Sequence, residues 1–113
     1  MKSGKFPSKY KAMWIIALFD LPVKSKKDRR EYTRFRFALK SLGFVMLQFS
    51  VYARYDVSPE AATALREKVK RLIPPKGEVR LLSVTDRQFA RMEIIEGKRP
   101  RKTEEAPEQL MLF

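Results

Sequence analysis

The chain has 113 residues, with 25 Lys and Arg against 13 Asp and Glu, a formal charge of +12, and no Cys or His. Such a length holds one core. The missing residue types exclude disulfides, thiolate nucleophiles, zinc–thiolate sites, serine–histidine triads and imidazole bases or ligands. Chemistry is left to carboxylates, hydroxyls, Lys, Arg and hard, oxygen-ligated cations. The charge favours a polyanionic partner, nucleic acid ahead of an anionic membrane, through counterion release.

Residues 1–11 read as a basic arm. Residues 12–19 form a short apolar run, rich in Ile and aromatics and soon ended by Pro22, which predicts a buried strand. Lys2, Lys5, Lys9 and Lys11 ahead of it give a superficial likeness to a signal peptide. However, Asp20 ends the run, no small-residue cleavage site follows, and the run is too short to cross a bilayer. A cytoplasmic protein without membrane attachment is expected. Burying a carboxylate is costly unless it is paired, ligated or at the solvent edge. Asp20 is therefore expected at the carboxyl end of a central strand, facing a cleft. A lone acid there, on a basic body, suggests a metal ion meeting a phosphate.

Ser25-Lys26-Lys27-Asp28 resembles a capping box. The helix it opens carries Tyr32, Phe35, Leu39 and Leu42 on one apolar face, and Gly43 is a natural stop. Its remaining surface is nearly one-signed: Lys24, Lys26, Lys27, Arg29, Arg30, Arg34, Arg36 and Lys40 stand against Asp28 and Glu31. Such a face predicts phosphate contacts without base readout, weakening steeply with salt. Arg34 and Arg36 are the expected cleft residues.

Residues 44–55 predict a tight hairpin, or two strands joined by a kink near Gln48. Ser58-Pro59 begins a second helix with Ala62, Leu65, Val69 and Leu72 inward, broken by Pro74-Pro75-Lys76-Gly77. Residues 78–85 read as a strand, 86–88 as a turn and 89–95 as a last short strand. Residues 97–102 read as a basic linker, in which Lys98, Arg99, Arg101 and Lys102 form a second patch. Residues 103–113 turn acidic and end Gln109-Leu110-Met111-Leu112-Phe113.

This order predicts an α+β, ferredoxin-like split βαβ sandwich: βαββαβ plus an extra C-terminal strand, with both helices on one sheet face. The expected parts are an arm (1–11), the domain (12–96) and a linker with an apolar tail (97–113). The other sheet face would stay partly apolar, and a homodimer burying it is the simplest solution.

Phe19-Asp20-Leu21-Pro22, the basic helix ending at Leu42-Gly43-Phe44, and Gln48-Phe49-Ser50-Val51-Tyr52 together resemble the family of CRISPR-associated protein two. Residues 74–79 and Thr85-Asp86-Arg87-Gln88-Phe89 are similar to the branch found in type II systems. The resemblance covers roughly residues 12–96. It implies a ferredoxin-like homodimer and a magnesium-dependent endonuclease acting on single-stranded RNA or duplex DNA. It also implies a central scaffold for the CRISPR integrase, with the strand-one acid, here Asp20, as metal-binding residue.

One carboxylate is a poor nuclease site, because a hard cation needs several oxygen ligands and a positioned water. A two-fold dimer brings a residue near its symmetry mate. The expectation is that Asp20 of both protomers share one magnesium ion (Mg2+), which activates the water. The plainer alternative is that Asp20 only caps the loop before the first helix. Asp56, Asp86 and Glu93 are conceivable further ligands. Ser50 either supports catalysis by hydrogen bonding or is a satisfied strand serine. Tyr52 and Phe49 suit core or dimer packing. Gln109, Leu110, Leu112 and Phe113 resemble the motif that docks bacterial replication proteins on the sliding clamp. Docking on the integrase ranks ahead of the clamp, and pairing with a sheet edge is the plainer reading. A non-catalytic ferredoxin-like nucleic-acid-binding module remains the competing class. An RNA-recognition domain would need a Gly-aromatic motif on its third strand, which residues 49–55 lack.

Overall fold

A computed structural model describes residues 12–107. The elements are β1 (Met13–Asp20), α1 (Lys26–Ser41), β2 (Val45–Gln48), β3 (Val51–Asp56), α2 (Pro59–Lys70), β4 (Glu78–Thr85), α3 (Asp86–Ala90), β5 (Ile94–Glu96) and β6 (Arg99–Arg101). The first four strands form an antiparallel sheet in the order β2-β3-β1-β4. With α1 and α2 on one face, this is the ferredoxin-like arrangement the element order predicts.

Alternation along β1 divides the core. Ile15, Ala17 and Phe19 meet Tyr32, Phe35 and Leu39 of α1 and Ala62, Leu65 and Val69 of α2. Trp14 and Ile16 point the other way. Both helices start where the caps predict. The Ser25 hydroxyl accepts from the Asp28 N–H at 3.0 Å, and the Asp28 carboxylate accepts from the Ser25 N–H at 3.3 Å. That backbone donor holds the Asp28 carboxyl below its ordinary value. The Ser58 hydroxyl accepts from the Ala61 N–H at 3.1 Å.

Leu72 departs from its expected place. It lies beyond the C-cap of α2 at Arg71 and is 39% exposed. The hairpin turn falls at Phe49-Ser50, between β2 and β3, and Ser50 adopts a left-handed φ of 65°.

The region after β4 corrects the expected turn, strand and linker. Thr85 and Gln88 form a reciprocal capping box, at 2.8 and 3.1 Å, that starts α3 instead of a turn. Phe89 is buried there, its ring stacked on Trp14 with centroids 4.0 Å apart. Residues 97–102 are not a plain linker. The chain turns at Gly97, with φ 61°, and Arg99–Arg101 pairs with Ile94–Glu96 as a hairpin separate from the main sheet. The expected single extra strand is thus a helix and a hairpin.

This segment, with Ala106, covers part of the second sheet face. An apolar groove of about 220 Å³ stays open there, lined in part by Ile16, Leu18, Leu47, Val51, Leu82 and Ile94. The basic arm and the tail residues Gln109, Leu110, Leu112 and Phe113 lie outside the described residues. Among the described residues no helix is long and apolar enough to cross a membrane.

Candidate metal and nucleic-acid site

Asp20 ends β1, a central strand, and is exposed. Its backbone is gripped from both sides. The Phe19 N–H donates to the Ser50 carbonyl at 3.0 Å. On the other side Gly77, with φ 97°, sits so close that a Cβ there would come within 2.8 Å of the Asp20 carbonyl oxygen and 3.0 Å of Leu21 Cα. Only glycine fits that turn. Leu21 is anchored in the core.

Among the described residues the Asp20 carboxylate has no hydrogen-bond or ion-pair partner, and Ser25, not Asp20, caps α1. Asp20 and Glu78 are register mates across β1 and β4, which places two acids side by side on one face, an unfavourable pairing by itself. Glu78 pairs with Arg80 at 3.2 Å, both exposed. A hard cation suits such a carboxylate. Yet among the described residues no three acidic, His or Cys side chains gather at one place. The described residues of this chain therefore fall short of a full ligand set.

The other proposed ligands are elsewhere. Asp56 pairs in register with Met13, and Asp86 donates its backbone N–H to Ala12, both at the opposite end of β1, about 24 Å from Asp20 at strand rise. Asp56 is 3% exposed and 3.5 Å from Arg54, and its second carboxylate oxygen has no partner among the described residues. Burial pushes its carboxyl up, with Arg54 opposing. Asp86 accepts from Trp14 Nε1 at 2.7 Å. Glu93 is exposed in the loop before β5. Within the chain Asp56 and Asp86 are structural acids, too distant to be Asp20's co-ligands.

Ser50 is a satisfied serine. Its hydroxyl is hydrogen-bonded to that of Tyr32 at 2.8 Å, while its carbonyl holds the N–H next to Asp20. Tyr32 also stacks on Phe49, with centroids 5.9 Å apart, although Phe49 is 79% exposed. Tyr52 is fully buried, as core packing predicts, and its hydroxyl accepts from Arg36 Nε at 3.1 Å. That bond raises the Arg36 pKa further.

The cations of α1 divide by task. Arg36 is committed to Tyr52. Arg29 Nη1 donates to the Val23 and Lys24 carbonyls at 3.1 and 2.9 Å, fastening the loop after Asp20. Lys26, Arg30, Arg34 and Lys40 have no acidic partner among the described residues. Lys26, Arg29, Arg30, Thr33, Arg34 and Phe37 line a shallow groove, which Asp20 does not border. The expected cleft shared by Asp20, Arg34 and Arg36 is therefore not assembled within the chain: Arg34 faces outward, while Arg36 reaches down to Tyr52.

Gly77 and Glu78 as Asp20's neighbours, and Tyr32 as the partner of Ser50, escape a reading of the sequence because strand register and turn placement create them. Phe37 did leave a signal, as an apolar residue on the polar side of an amphipathic helix.

An antiparallel sheet under two helices, a free carboxylate at the tip of a central strand and a strongly cationic helix define a small α+β protein of ferredoxin-like fold equipped to meet polyanions. Residues 13–92 match the family model described as CRISPR associated protein Cas2, and the chain belongs to that family. It is 45% identical over 101 residues to a protein of Parvibaculum lavamentivorans named CRISPR-associated endoribonuclease Cas2, covering 89% of this chain and 100% of that one. A protein of the same name from Flavobacterium psychrophilum is 37% identical over 106 residues, covering 94% and 92%. One from Streptococcus mutans is 42% identical over 87 residues, covering 77% and 80%.

Proposed function

We propose that this chain is a metal-dependent endonuclease of the CRISPR apparatus that hydrolyses phosphodiesters in single-stranded RNA or duplex DNA. In this reading it works as a homodimer, in which Asp20 and its symmetry mate hold one magnesium ion, and it also serves the CRISPR integrase as a DNA-binding scaffold. The relatives' names support the nuclease. The observation that carries the reading is Asp20 itself, an exposed, unpartnered carboxylate on a backbone clamped between Ser50 and Gly77.

Magnesium held there supplies a Lewis acid that activates water and neutralises charge at the scissile phosphate. Asp20 contributes hard oxygens. Ser50 positions Asp20 through the Phe19 N–H and is itself fixed by Tyr32. Lys26, Arg30, Arg34 and Lys40 hold backbone phosphates, with Arg36 and Arg29 bracing the helix that carries them. The tail residues Gln109, Leu110, Leu112 and Phe113 dock on the integrase, with the sliding clamp as the second candidate.

The test compares wild type with Asp20→Asn on single-stranded RNA and duplex DNA, with magnesium and with chelator. Cleavage that needs both magnesium and Asp20, falling by about 100-fold or more in the variant (~3 kcal/mol of barrier) with unchanged melting, supports the nuclease and identifies its substrate. No cleavage, or equal cleavage by both proteins, leaves a non-catalytic scaffold whose basic surface carries the function.

A further inference from the structure

We infer that Phe37 is a stacking platform for an unpaired base, so that the outer side of α1 holds single-stranded nucleic acid by base and phosphate together, resting on the reading of α1 as a phosphate-binding surface. The core face of α1 is Tyr32, Phe35 and Leu39. Phe37 stands roughly 200° round the helix from Phe35, on the solvent side, and is 62% exposed. It joins neither core cluster. An amphipathic helix calls for a polar residue at that position.

Single exposed apolar residues are ordinary, but the surroundings of this one are not. It lies in a shallow groove of about 770 Å³ with Lys26, Arg29, Arg30, Thr33 and Arg34, and no carboxylate lines that groove. Asp28, an acid of the same helix, is taken up in the capping box. Lys26, Arg30 and Arg34 keep their charges unpaired among the described residues.

This charge calls for a polyanion, and the ring selects which kind. A duplex presents phosphates but keeps its base faces stacked inside, leaving Phe37 nothing to meet. A single strand offers a π-face beside each phosphate, and aromatic side chains in cationic grooves hold such bases without regard to sequence. From Lys26 to Phe37 the helix runs about 16 Å, enough for a strand to lie along it from the loop that follows Asp20.

The experiment measures anisotropy of a short fluorescein-labelled single-stranded RNA, an abasic strand of the same length and a blunt DNA duplex over a salt series. Proteins are wild type, Phe37→Ala, Phe37→Trp and Arg34→Ala. Phe37→Ala is expected to weaken the base-bearing RNA by about tenfold, in keeping with the worth of one stacked base. Its salt slope, and binding of the abasic strand and the duplex, should not change. Phe37→Trp should retain the affinity. Equal weakening on all three ligands, or no weakening on any, overturns the stacking role. Arg34→Ala should weaken all three ligands and lower the salt slope by about one. If it does so while Phe37→Ala does nothing, only the stacking role fails. If Arg34→Ala also changes nothing, the phosphate-binding reading of α1 fails with it.

Discussion

At the Met13 end of β1 the acids are absorbed into the structure. Asp86 takes the Trp14 indole N–H and opens α3, Phe89 closes over Trp14, and Asp56 is buried beside Arg54. At the other end, Asp20 is left in solvent with no partner among the described residues, although the neighbouring Phe19 N–H is held by Ser50 and Gly77 sits close against its carbonyl. The difference separates carboxylates taken up in the packing from one left free in solvent. A side chain kept free on a rigid backbone can take a ligand without rearrangement, which is the preorganisation that binding rewards.

Substitutions at each end break the contrast in opposite ways. Phe89→Ala, at the closed end, removes a fully packed ring and should cost about 3–5 kcal/mol, read as a lower urea midpoint. Cleavage per folded molecule should stay unchanged. Gly77→Ala, at the open end, forces a Cβ into the Asp20 carbonyl at a φ that side chains avoid. It should cost about 1–3 kcal/mol, yet reduce Asp20-dependent cleavage by more than the lost folded fraction explains.

The smallest effect tests the buried acid. The folded carboxyl of Asp56 is raised above its unfolded value, so its contribution is fully present below the unfolded value and is lost as pH rises through the folded one. Asp56→Asn, which cannot ionise, should gain on wild type as pH rises from below the ordinary carboxylate value of about 4 to neutrality. Urea midpoints of both proteins at the two extremes measure this. The opposite trend would mean that pairing with Arg54 outweighs burial.

Much of the fold was legible because its signals are local. Ser25 with Asp28, Ser58 with Pro59, and the inward spacing of Tyr32, Phe35 and Leu39 each lie within a turn or two of chain. Thr85 and Gln88 carried the same kind of capping signal, but the apolar residues from Phe89 onward favoured a strand. Only packing of Phe89 on Trp14 settles the matter for helix. At the candidate site the legible part was Asp20 and the cationic side of α1. That Arg36 turns inward to Tyr52 while Arg34 stays outward depends on which neighbour each side chain meets.

The ferredoxin-like order of elements, the starts of α1 and α2, the net charge and the exclusion of thiol and imidazole chemistry are legible in the chain alone, since these follow from composition and from contacts within a few residues. The tertiary structure alone decided which acids share an end of β1, that Gly77 and Ser50 clamp Asp20, and that α3 and the β5–β6 hairpin cover part of the second sheet face. Strand register and the seating of a turn are set by pairings between distant segments, and no local pattern encodes them.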